Sequence, residues 1–520
     1  MDKRDIRARA LGNVIFLLQS EMPSWSSPFV AVAVILVLAI IRKSYNRILV
    51  RAPPGPKGWP IVGNLFDIPH KNSWLTYMQW SKTYGDIIWV RSIGTPILIL
   101  NDLDDIHELL EKRSAITASR TRMVKANELM GWDWDFAHMP HDDRWRQHRK
   151  LFHQYFQQKN ASRYFPVMEK ATAILLNQLL GSPDNFRNHI RQFAGSIILK
   201  LTYDHEVVAE DDYYVTLADK AMKGLLQAVH VGSSYVDLLP ILKYIPAWFP
   251  GAHFKREARV FAKWTKDLRD VPFAQAKKKM STGSLGPCFV SDSLVKGDVD
   301  EDTVGNSAAM AYLAGSDTTA SIVASFVLAM VQYPKVQARA QREIERVTGG
   351  SRLPDYGDQS SIPYIDAIIA EVFRWATPLP LAVPHCSQEP DVYKGYYIPS
   401  GTIILPNVYG VFHDEARFAE PDAFRPERFL EENADFDPIN MGGFGYGRRI
   451  CPGRYIATNS AWLAIAQILA AFIVSPKHDG ELKSPEFVSG LVVHPAPFEV
   501  KIVPRSEKAL ELIQQLVQEP

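Results

Sequence analysis

The sequence predicts a mainly α-helical fold with a small β region, arranged as one large domain behind an N-terminal membrane anchor. Two long apolar segments, 302–333 and 455–474, have the length and composition of buried helices. Short runs rich in β-branched residues at 87–90 and 96–100 flank Gly94 and predict a minor sheet near the N-terminus. The intervening chain is largely of helical periodicity, so the sheet is expected to be small.

Composition and charge set limits on function. Of 520 residues, 47% are hydrophobic and 22% are charged, which is ordinary for a globular protein with a large core. The formal net charge of +1 gives no global field that would attract nucleic acid, and we expect no nucleic-acid partner. Three cysteines, Cys288, Cys386 and Cys451, are too few for a disulfide framework in a chain of this length. A reducing compartment fits this cysteine content.

The first 58 residues predict an anchor and a hinge. The uncharged stretch 25–41 has 17 residues, which is borderline for crossing a bilayer. No small-residue cleavage site follows it, which argues against a secretory signal, whereas a buried helix remains an alternative. Four basic residues precede the stretch and five follow it, so the charge count leaves its orientation open. We expect a tail at 1–24, a transmembrane anchor at 25–43, a basic and proline-rich hinge at 44–58, and the main domain at 59–520.

The main domain is expected to alternate long helices with short strands. Helical patterns occupy 73–84 and 103–112, and helices dominate 165–279. The segment 283–300 has scattered glycine, serine and proline without a sustained period and predicts a loop. Later helices are expected at 334–347 and 363–375, and short strands within 392–406.

The apolar helix 302–333 contains an unusual stretch, Ala314-Gly315-Ser316-Asp317-Thr318-Thr319. A buried carboxylate such as Asp317 needs a partner or a functional reason. A threonine hydroxyl can bond back to a carbonyl and bend the helix, and the small residues would let a flat cofactor and a diatomic ligand approach the backbone. The alternative is a helix kink with a satisfied aspartate.

Trp145 and Arg149 are four residues apart, so on a helix they share one face. An indole N–H and a guanidinium are suitable donors for a buried carboxylate. The alternative is a basic surface helix with one buried tryptophan. Arg146 and Lys150 would point elsewhere and form a local basic patch for a redox partner, or a solvated charge run.

Cys451 lies in a glycine- and arginine-rich loop, 444–453, just before the predicted helix 455–474. Glycines let the backbone approach a flat partner closely. The helix N-terminus, with Arg448 and Arg449, is expected to lower the thiol pKa. One cysteine suits a single axial bond to a metal better than a four-ligand zinc site. The alternative is a buried cysteine at a helix–loop junction.

These residues carry a resemblance. The pattern F-G-x-G-x-R-x-C-x-G at 444–453 resembles the haem-binding loop of the cytochrome P450 family. The stretches at 145–149 and 314–318 resemble the family's W-x-x-x-R and A-G-x-D-T motifs, and Glu371, Arg374 and Arg428 resemble its structural E-x-x-R triad. The resemblance covers roughly 53–505.

The resemblance implies a cytochrome P450 fold that holds haem b, with Cys451 as the metal ligand. It implies six cofactor-binding residues: Cys451, Trp145, Arg149, His385, Phe444 and Arg449. It also implies catalytic roles for two residues: Thr318 would hydrogen-bond dioxygen, and Asp317 would control the proton supply for O–O cleavage. For His385 a purely structural role is the alternative.

The resemblance also implies a haem-thiolate monooxygenase that inserts one oxygen atom from O2 into a small apolar substrate. Within the family the chain looks most like fungal microsomal members of secondary metabolism, including the O-methylsterigmatocystin oxidoreductase-like group, which suggests a terpenoid or polyketide substrate. The implied electron donor is NADPH-cytochrome P450 reductase, with cytochrome b5 as a second donor. The implied location is the endoplasmic reticulum membrane, single-pass, with the catalytic domain in the cytosol. Alternatives are a haem-thiolate isomerase, a peroxide-dependent oxidase and a non-catalytic haem sensor.

Overall fold

The computed structural model describes residues 51–207, 212–229, 234–430, 436–478 and 485–518. The predicted tail and anchor at 1–43 and the first part of the predicted hinge, 44–50, lie outside these residues. The described helices, numbered in chain order, are α1 Ser73–Tyr84, α2 Leu103–His107, α3 Ser114–Thr117, α4 Asp143–Phe156, α5 Phe165–Gly181, α6 Phe186–Tyr203, α7 Tyr213–Ala228, α8 Tyr235–Leu238, α9 His253–Ser281, α10 Phe289–Lys296, α11 Glu301–Gln332, α12 Pro334–Thr348, α13 Pro363–Trp375, α14 Val408–Phe412, α15 Arg454–Ala471 and α16 Glu507–Gln518.

Short strands form several small sheets. They are β1 Ile87–Ser92, β2 Thr95–Leu100, β3 His385–Cys386, β4 Asp391–Tyr393, β5 Tyr396–Ile398, β6 Ile403–Pro406, β7 Phe472–Pro476, β8 Phe487–Val488, β9 His494–Pro495 and β10 Val500–Pro504. The largest described sheet has the order β1-β2-β6-β3. Its β1–β2 and β3–β6 pairs are antiparallel, and β2–β6 is parallel. The expectation of a mainly helical fold with a small β region is confirmed.

Contacts between Cα atoms divide the chain into two units. The larger consists of residues 54–391 and 399–520 and holds all the helices described here. The described part of the smaller is 51–53 with Val392–Ile398, where β4 pairs with β5. Its turn places Lys394 and Gly395 at positive φ, the backbone that a tight hairpin requires.

Helix α11 is the central element of the larger unit. The Asp300 side chain caps it by accepting from the Thr303 N–H at 2.7 Å, and Pro334 begins the next helix directly after Tyr333. Most of its length is buried, and it packs against α6, α9 and α15. Among the described residues it is the one helix long and apolar enough to cross a membrane, and 72% of its most apolar window is buried inside the protein. It is therefore a core helix that crosses the domain beside the site.

Two local predictions were wrong. The segment 283–300 contains a helix, α10, because the Cys288 side chain caps it and the apolar side chains of Phe289 and Val290 are buried. The predicted helix 455–474 ends at Ala471, and Phe472–Pro476 continues as strand β7. There the β-branched residues pair with β10, so tertiary pairing overrides the continuous apolar pattern.

Candidate active site

The loop before α15 presents one thiol to the interior. Gly445 and Gly447 have φ of +77° and +52°, and a Cβ on Gly447 would lie 2.3 Å from the Leu110 carbonyl oxygen. Only glycine fits this close approach. The loop closes through a 2.8 Å hydrogen bond that the Cys451 N–H donates to the Phe444 carbonyl. The Phe444 ring packs against the Phe373 ring of α13, with centroids 4.9 Å apart.

The electrostatics of the Cys451 thiol differ from the expectation. Burial raises its pKa, while the Gly453 N–H and the guanidinium groups of Arg149 and Arg454 act in the opposite direction. The predicted lowering by Arg448 and Arg449 was wrong, because Arg448 is exposed and Arg449 donates to backbone carbonyls elsewhere. A buried thiol with this pKa ionises when a cation takes the proton's place.

Cys451 lines a cavity of about 270 Å³. A single water needs about 10–15 Å³ on this scale, so the space accommodates a large group. Seven of the eight predicted site residues line it: Cys451, Trp145, Arg149, His385, Phe444, Arg449 and Thr318. Its other walls are mostly apolar and come chiefly from α4, α6, α7, α11 and the segments 378–383 and 491–492. The eighth, Asp317, is not among its lining residues.

Basic groups are concentrated among these lining residues. The Arg449 guanidinium is buried and donates to the carbonyls of Ala118 (2.6 Å) and Met139 (2.7 Å). It stacks 4.2 Å from the centroid of the Trp145 ring. Burial lowers the pKa of Arg449 to about 8, with Arg120 and Arg149 adding repulsion. A cation this poorly solvated favours an anionic ligand.

Arg120 is a further lining residue that the sequence did not single out. It is buried and donates to the carbonyls of Ala137, Val383 and Pro384 at 2.8–3.0 Å. Burial lowers its pKa to about 9. Within the described part of the chain, neither Arg120 nor Arg449 forms an ion pair with a carboxylate inside 4 Å. Nothing in the local pattern around Arg120 distinguishes it from other arginines, so only the fold shows its position.

His385 and Arg149 complete the basic group. His385 is buried, and its Nδ1 donates to the Thr117 carbonyl at 3.0 Å, since a carbonyl can only accept. Burial, with Arg120 and Arg449, lowers the pKa of His385 well below its usual value. Burial also lowers the pKa of Arg149. Trp145 and Arg149 share a face of α4 as predicted, and Asp142 caps that helix through the Trp145 N–H at 2.9 Å.

The two predicted catalytic residues on α11 face different surroundings. Thr318 lines the cavity, and its hydroxyl donates to the Ala314 carbonyl at 2.8 Å, one turn back. Asp317 pairs with His494, with Oδ1 3.0 Å from Nε2. Successive helical residues are about 100° apart around the axis, so neighbours face different sides. The Asp317 side chain therefore contacts β9, whereas the Thr318 side chain faces the cavity.

The Glu371 carboxylate holds two arginines behind the cysteine loop. Arg374 donates to both of its oxygens at 2.7 and 2.8 Å, and Arg428 donates to Oε1 at 3.3 Å. Glu371 and Arg374 are fully buried. The structure thus brings together the three residues that the sequence assigned to architecture.

Comparison with known proteins identifies this arrangement. The chain matches the family described as Cytochrome P450 over residues 53–502. It is 40% identical over 507 residues to a cytochrome P450 monooxygenase of Armillaria gallica, covering 95% of this chain and 100% of that one. It is 37% identical over 481 residues to tryptamine 4-monooxygenase of Psilocybe cyanescens, covering 89% and 95%. The chain belongs to the cytochrome P450 family.

A solved structure confirms the fold. A zebra fish cytochrome P450, determined with progesterone, superposes with a TM-score of 0.70 at 23% identity, covering 83% of this chain and 99% of that one. The family and the fold imply a haem with a cysteine thiolate on its iron. The residues present fit that group: the glycine loop carries a single thiol, and Arg120 and Arg449 are buried cationic donors that have no carboxylate partner among the described residues, as a carboxylate-bearing cofactor would require.

Proposed function

We propose that this protein is a haem-thiolate monooxygenase that transfers one oxygen atom of O2 to a small apolar substrate. The observation that carries the proposal is that Cys451 and Thr318, from separate elements, line the same apolar cavity. The relatives named above as monooxygenases support it. The balanced reaction is RH + O2 + 2e⁻ + 2H⁺ → ROH + H2O.

The residues would divide this work as follows. Cys451 would ligate the iron, with Phe444 packed beside the loop. Trp145, Arg149, Arg449, Arg120 and His385 would hold the haem carboxylates through charge-assisted hydrogen bonds. When bound, the haem supplies the redox chemistry, and a thiolate ligand favours O–O cleavage.

The α11 residues would deliver protons. The Thr318 hydroxyl, at the cavity wall, would donate a hydrogen bond to the oxygen substrate, and Asp317 would hold and pass on the proton that the reaction consumes. The apolar walls would keep bulk water away from the reacting atoms and so keep the electrons directed at the substrate.

The cavity favours an uncharged substrate. Among the described residues that line it, no side chain is a carboxylate, whereas apolar groups such as Phe156, Ile197, Leu225, Leu379 and Leu491 dominate. An amine would lie near these basic groups without a counter-ion, at a high desolvation cost. A neutral terpenoid or polyketide of secondary metabolism fits this lining better than a cationic amine.

Electron supply and location complete the proposal. The exposed Arg146, Lys150 and Arg448 would form a basic surface for NADPH-cytochrome P450 reductase, with cytochrome b5 as a second donor. The segment 25–43 would anchor the chain in the endoplasmic reticulum membrane, with the catalytic domain cytosolic. The exposed Tyr244 and Trp248 would contact the same membrane, since amphipathic aromatic rings favour its interface.

Turnover under 18O2 tests the function. The full chain, in yeast membranes with a fungal reductase, is first checked for the thiolate-type band of reduced haem with CO. It is then given neutral terpenoids, aromatic polyketides and fatty acids, with Cys451→Ser as the control. A product with one 18O atom, absent from the control, is expected. Oxidation or rearrangement without label would overturn the proposal in favour of an isomerase or peroxide-dependent oxidase.

A further inference from the structure

We propose that His494 is the proton donor to Asp317, and that it relays protons from solvent to the cavity. The inference rests on the proposed monooxygenase function and assigns a residue to the proton supply that this function requires. The residue lies outside the sequence motifs, on strand β9 of the last described hairpin, 177 positions after Asp317 (494 − 317).

The pair lies at the boundary between solvent and interior. Nε2 of His494 is 3.0 Å from Oδ1 of Asp317, and the two side chains are 22% and 16% exposed. Asp317 does not line the cavity, but the next residue, Thr318, does. A proton on His494 therefore needs one hydrogen-bond transfer to reach the acid whose chain neighbour is at the cavity wall.

Side-chain hydrogen bonds from two helices to backbone carbonyls fix the position of β9. The Ser321 hydroxyl, one turn beyond Asp317 on α11, donates to the Val493 carbonyl at 2.5 Å. The Arg187 guanidinium of α6 donates to the Pro495 carbonyl at 2.7 Å. Because Ser321 and Asp317 are four apart, they share one helix face, and they contact the consecutive residues Val493 and His494. His494 is thus held opposite Asp317.

Charged groups from two further helices, α6 and α7, lie near the pair on α11 and β9. Asp317 comes from α11, Asp219 from α7, and Arg187 and Arg191 from α6. Arg191 is 3.2 Å from Asp219. The pKa of Asp219 is raised, chiefly by burial and also by the Asp317 charge, while Arg191 and His494 act in the opposite direction. The charges of Asp317 and His494 are therefore close enough to affect the protonation of Asp219. The imidazole of His494 therefore lies beside two carboxylates, those of Asp317 and Asp219.

Histidine is suited to this position for a chemical reason. A guanidinium would hold the Asp317 carboxylate in a permanent ion pair, because an arginine beside a carboxylate keeps its proton. An imidazole releases and regains a proton near neutral pH. In each transfer the His494 N–H bond breaks and an Asp317 O–H bond forms; the O–H bond then breaks as Asp317 passes the proton on to the oxygen being reduced, and solvent reprotonates His494. The relay consumes nothing itself and delivers the two protons that accompany the two electrons.

The test uses His494→Gln in the full-length holoenzyme. Glutamine can still donate a hydrogen bond to Asp317, but it cannot carry a proton. The matched control is His478→Gln, which removes a surface histidine–carboxylate pair with Glu499 at 3.1 Å. Product, hydrogen peroxide and water formed per NADPH are measured with reductase. Product formed from added hydrogen peroxide is measured separately, because RH + H2O2 → ROH + H2O needs no outside protons.

We expect His494→Gln to lower product per NADPH by about 10-fold or more, with peroxide released instead and with peroxide-driven turnover unchanged. Adding Asp317→Asn should cause no further loss, since both act in one relay. If His494→Gln forms as much product per NADPH as the His478→Gln control, the relay is overturned. Equal loss of both reactions also overturns it, because that pattern indicates a role in shaping the cavity.

The proposed function can fail separately. Wild-type protein that reduces O2 without labelled product would contradict monooxygenation. The relay would still be tested by the partition of O2 between water and hydrogen peroxide. His494→Gln should shift that partition towards peroxide relative to His478→Gln, and an unchanged partition would overturn the relay.

Discussion

Two groups of buried arginines differ in how their charge is compensated. Arg374 and Arg428 share the carboxylate of Glu371, with bidentate hydrogen bonds from Arg374. Arg120 and Arg449, beside the cavity, donate to backbone carbonyls and form no carboxylate ion pair within the described part of the chain. Arg374, Arg120 and Arg449 are all buried, so for these three the difference lies in the partner and not in the burial.

The difference separates a structural from a ligand-binding role. A buried cation with a carboxylate is satisfied by the chain itself, and removing one partner leaves an uncompensated charge. A buried cation that donates only to carbonyls has no opposite charge to offset its desolvation cost. Burial lowers the pKa of Arg120 to about 9 and that of Arg449 to about 8, and it lowers the pKa of Arg428 as well, but there Glu371 acts in the opposite direction. Binding an anionic group would reduce that cost. The first group therefore belongs to the scaffold and the second to the cofactor site.

The largest expected effect is on the scaffold. Glu371→Gln should lower the free energy of unfolding by about 3–5 kcal/mol, because it leaves Arg374 buried without a counter-charge. Chemical denaturation of holoenzyme and apoprotein measures it, and both should be affected. The control is Glu345→Gln, which breaks an exposed pair with Arg505 and should cost at most about 1 kcal/mol. Equal losses of unfolding free energy in Glu371→Gln and Glu345→Gln would show that the buried Glu371 carboxylate stabilises the fold no more than a surface ion pair does.

These two groups show what the sequence could predict. Glu371 and Arg374 are three apart on one helix, and the cysteine loop and the W-x-x-x-R helix are also local patterns. Local spacing therefore predicted the scaffold pair, the thiol and one face of α4. Arg120 and His494 have no local signal, because only long-range packing brings them to the site. The sequence singled out Asp317 as an unusual acid in an apolar helix. It did not predict that the Asp317 side chain faces His494 and not the cavity, because that depends on how α11 packs.

A second effect tests how strongly the paired arginines act on their surroundings. His413 is buried, its Nδ1 donates to the Tyr409 carbonyl at 3.0 Å, and burial together with Arg374 and Arg428 lowers its pKa to about 3. The unfolded chain then binds more protons than the folded one between about pH 3 and 6.5, so stability falls as pH falls through that range. From pH 7 to pH 5 this loss is about 2 kcal/mol.

His413→Asn should flatten this acid dependence. Asparagine cannot take up the proton, and its amide can still donate a hydrogen bond. The free energy of unfolding is measured by denaturant titration at pH 5 and pH 7 for the variant and the wild type. An unchanged difference between the two pH values would show that His413 is not held neutral by this environment.

A third effect tests the cofactor side of the comparison. Arg449→Met should speed haem loss to a haem acceptor about 10-fold or more, because a charge-assisted bond to the cofactor is removed. The unfolding free energy of the apoprotein should change far less than in Glu371→Gln. Arg448→Met, a change at an adjacent exposed position, is the control and should retain haem. Haem loss equal to that of the control would exclude Arg449 from the cofactor site.

The smallest expected effect concerns the repulsion between Arg120 and Arg449, the two arginines beside the cavity. Arg120 and Arg449 act on each other, since the Arg120 charge contributes to the lowered pKa of Arg449. Replacing either arginine by methionine in the apoprotein removes a desolvated charge and also relieves its neighbour. Each single replacement already removes the repulsion between the two arginines, and the double replacement can remove it only once. The double variant should therefore gain less stability than the sum of the two single variants, by about 0.5 kcal/mol or more in a double-mutant cycle on the unfolding free energy. A cycle that pairs Glu371 with Arg374 or with Arg428 has the opposite expected sign of coupling, because there the cation gains from the carboxylate. If the changes in unfolding free energy of the two single variants are strictly additive, the backbone carbonyls already screen the two charges from each other. The basic side of the cavity would then be stable without a bound anion.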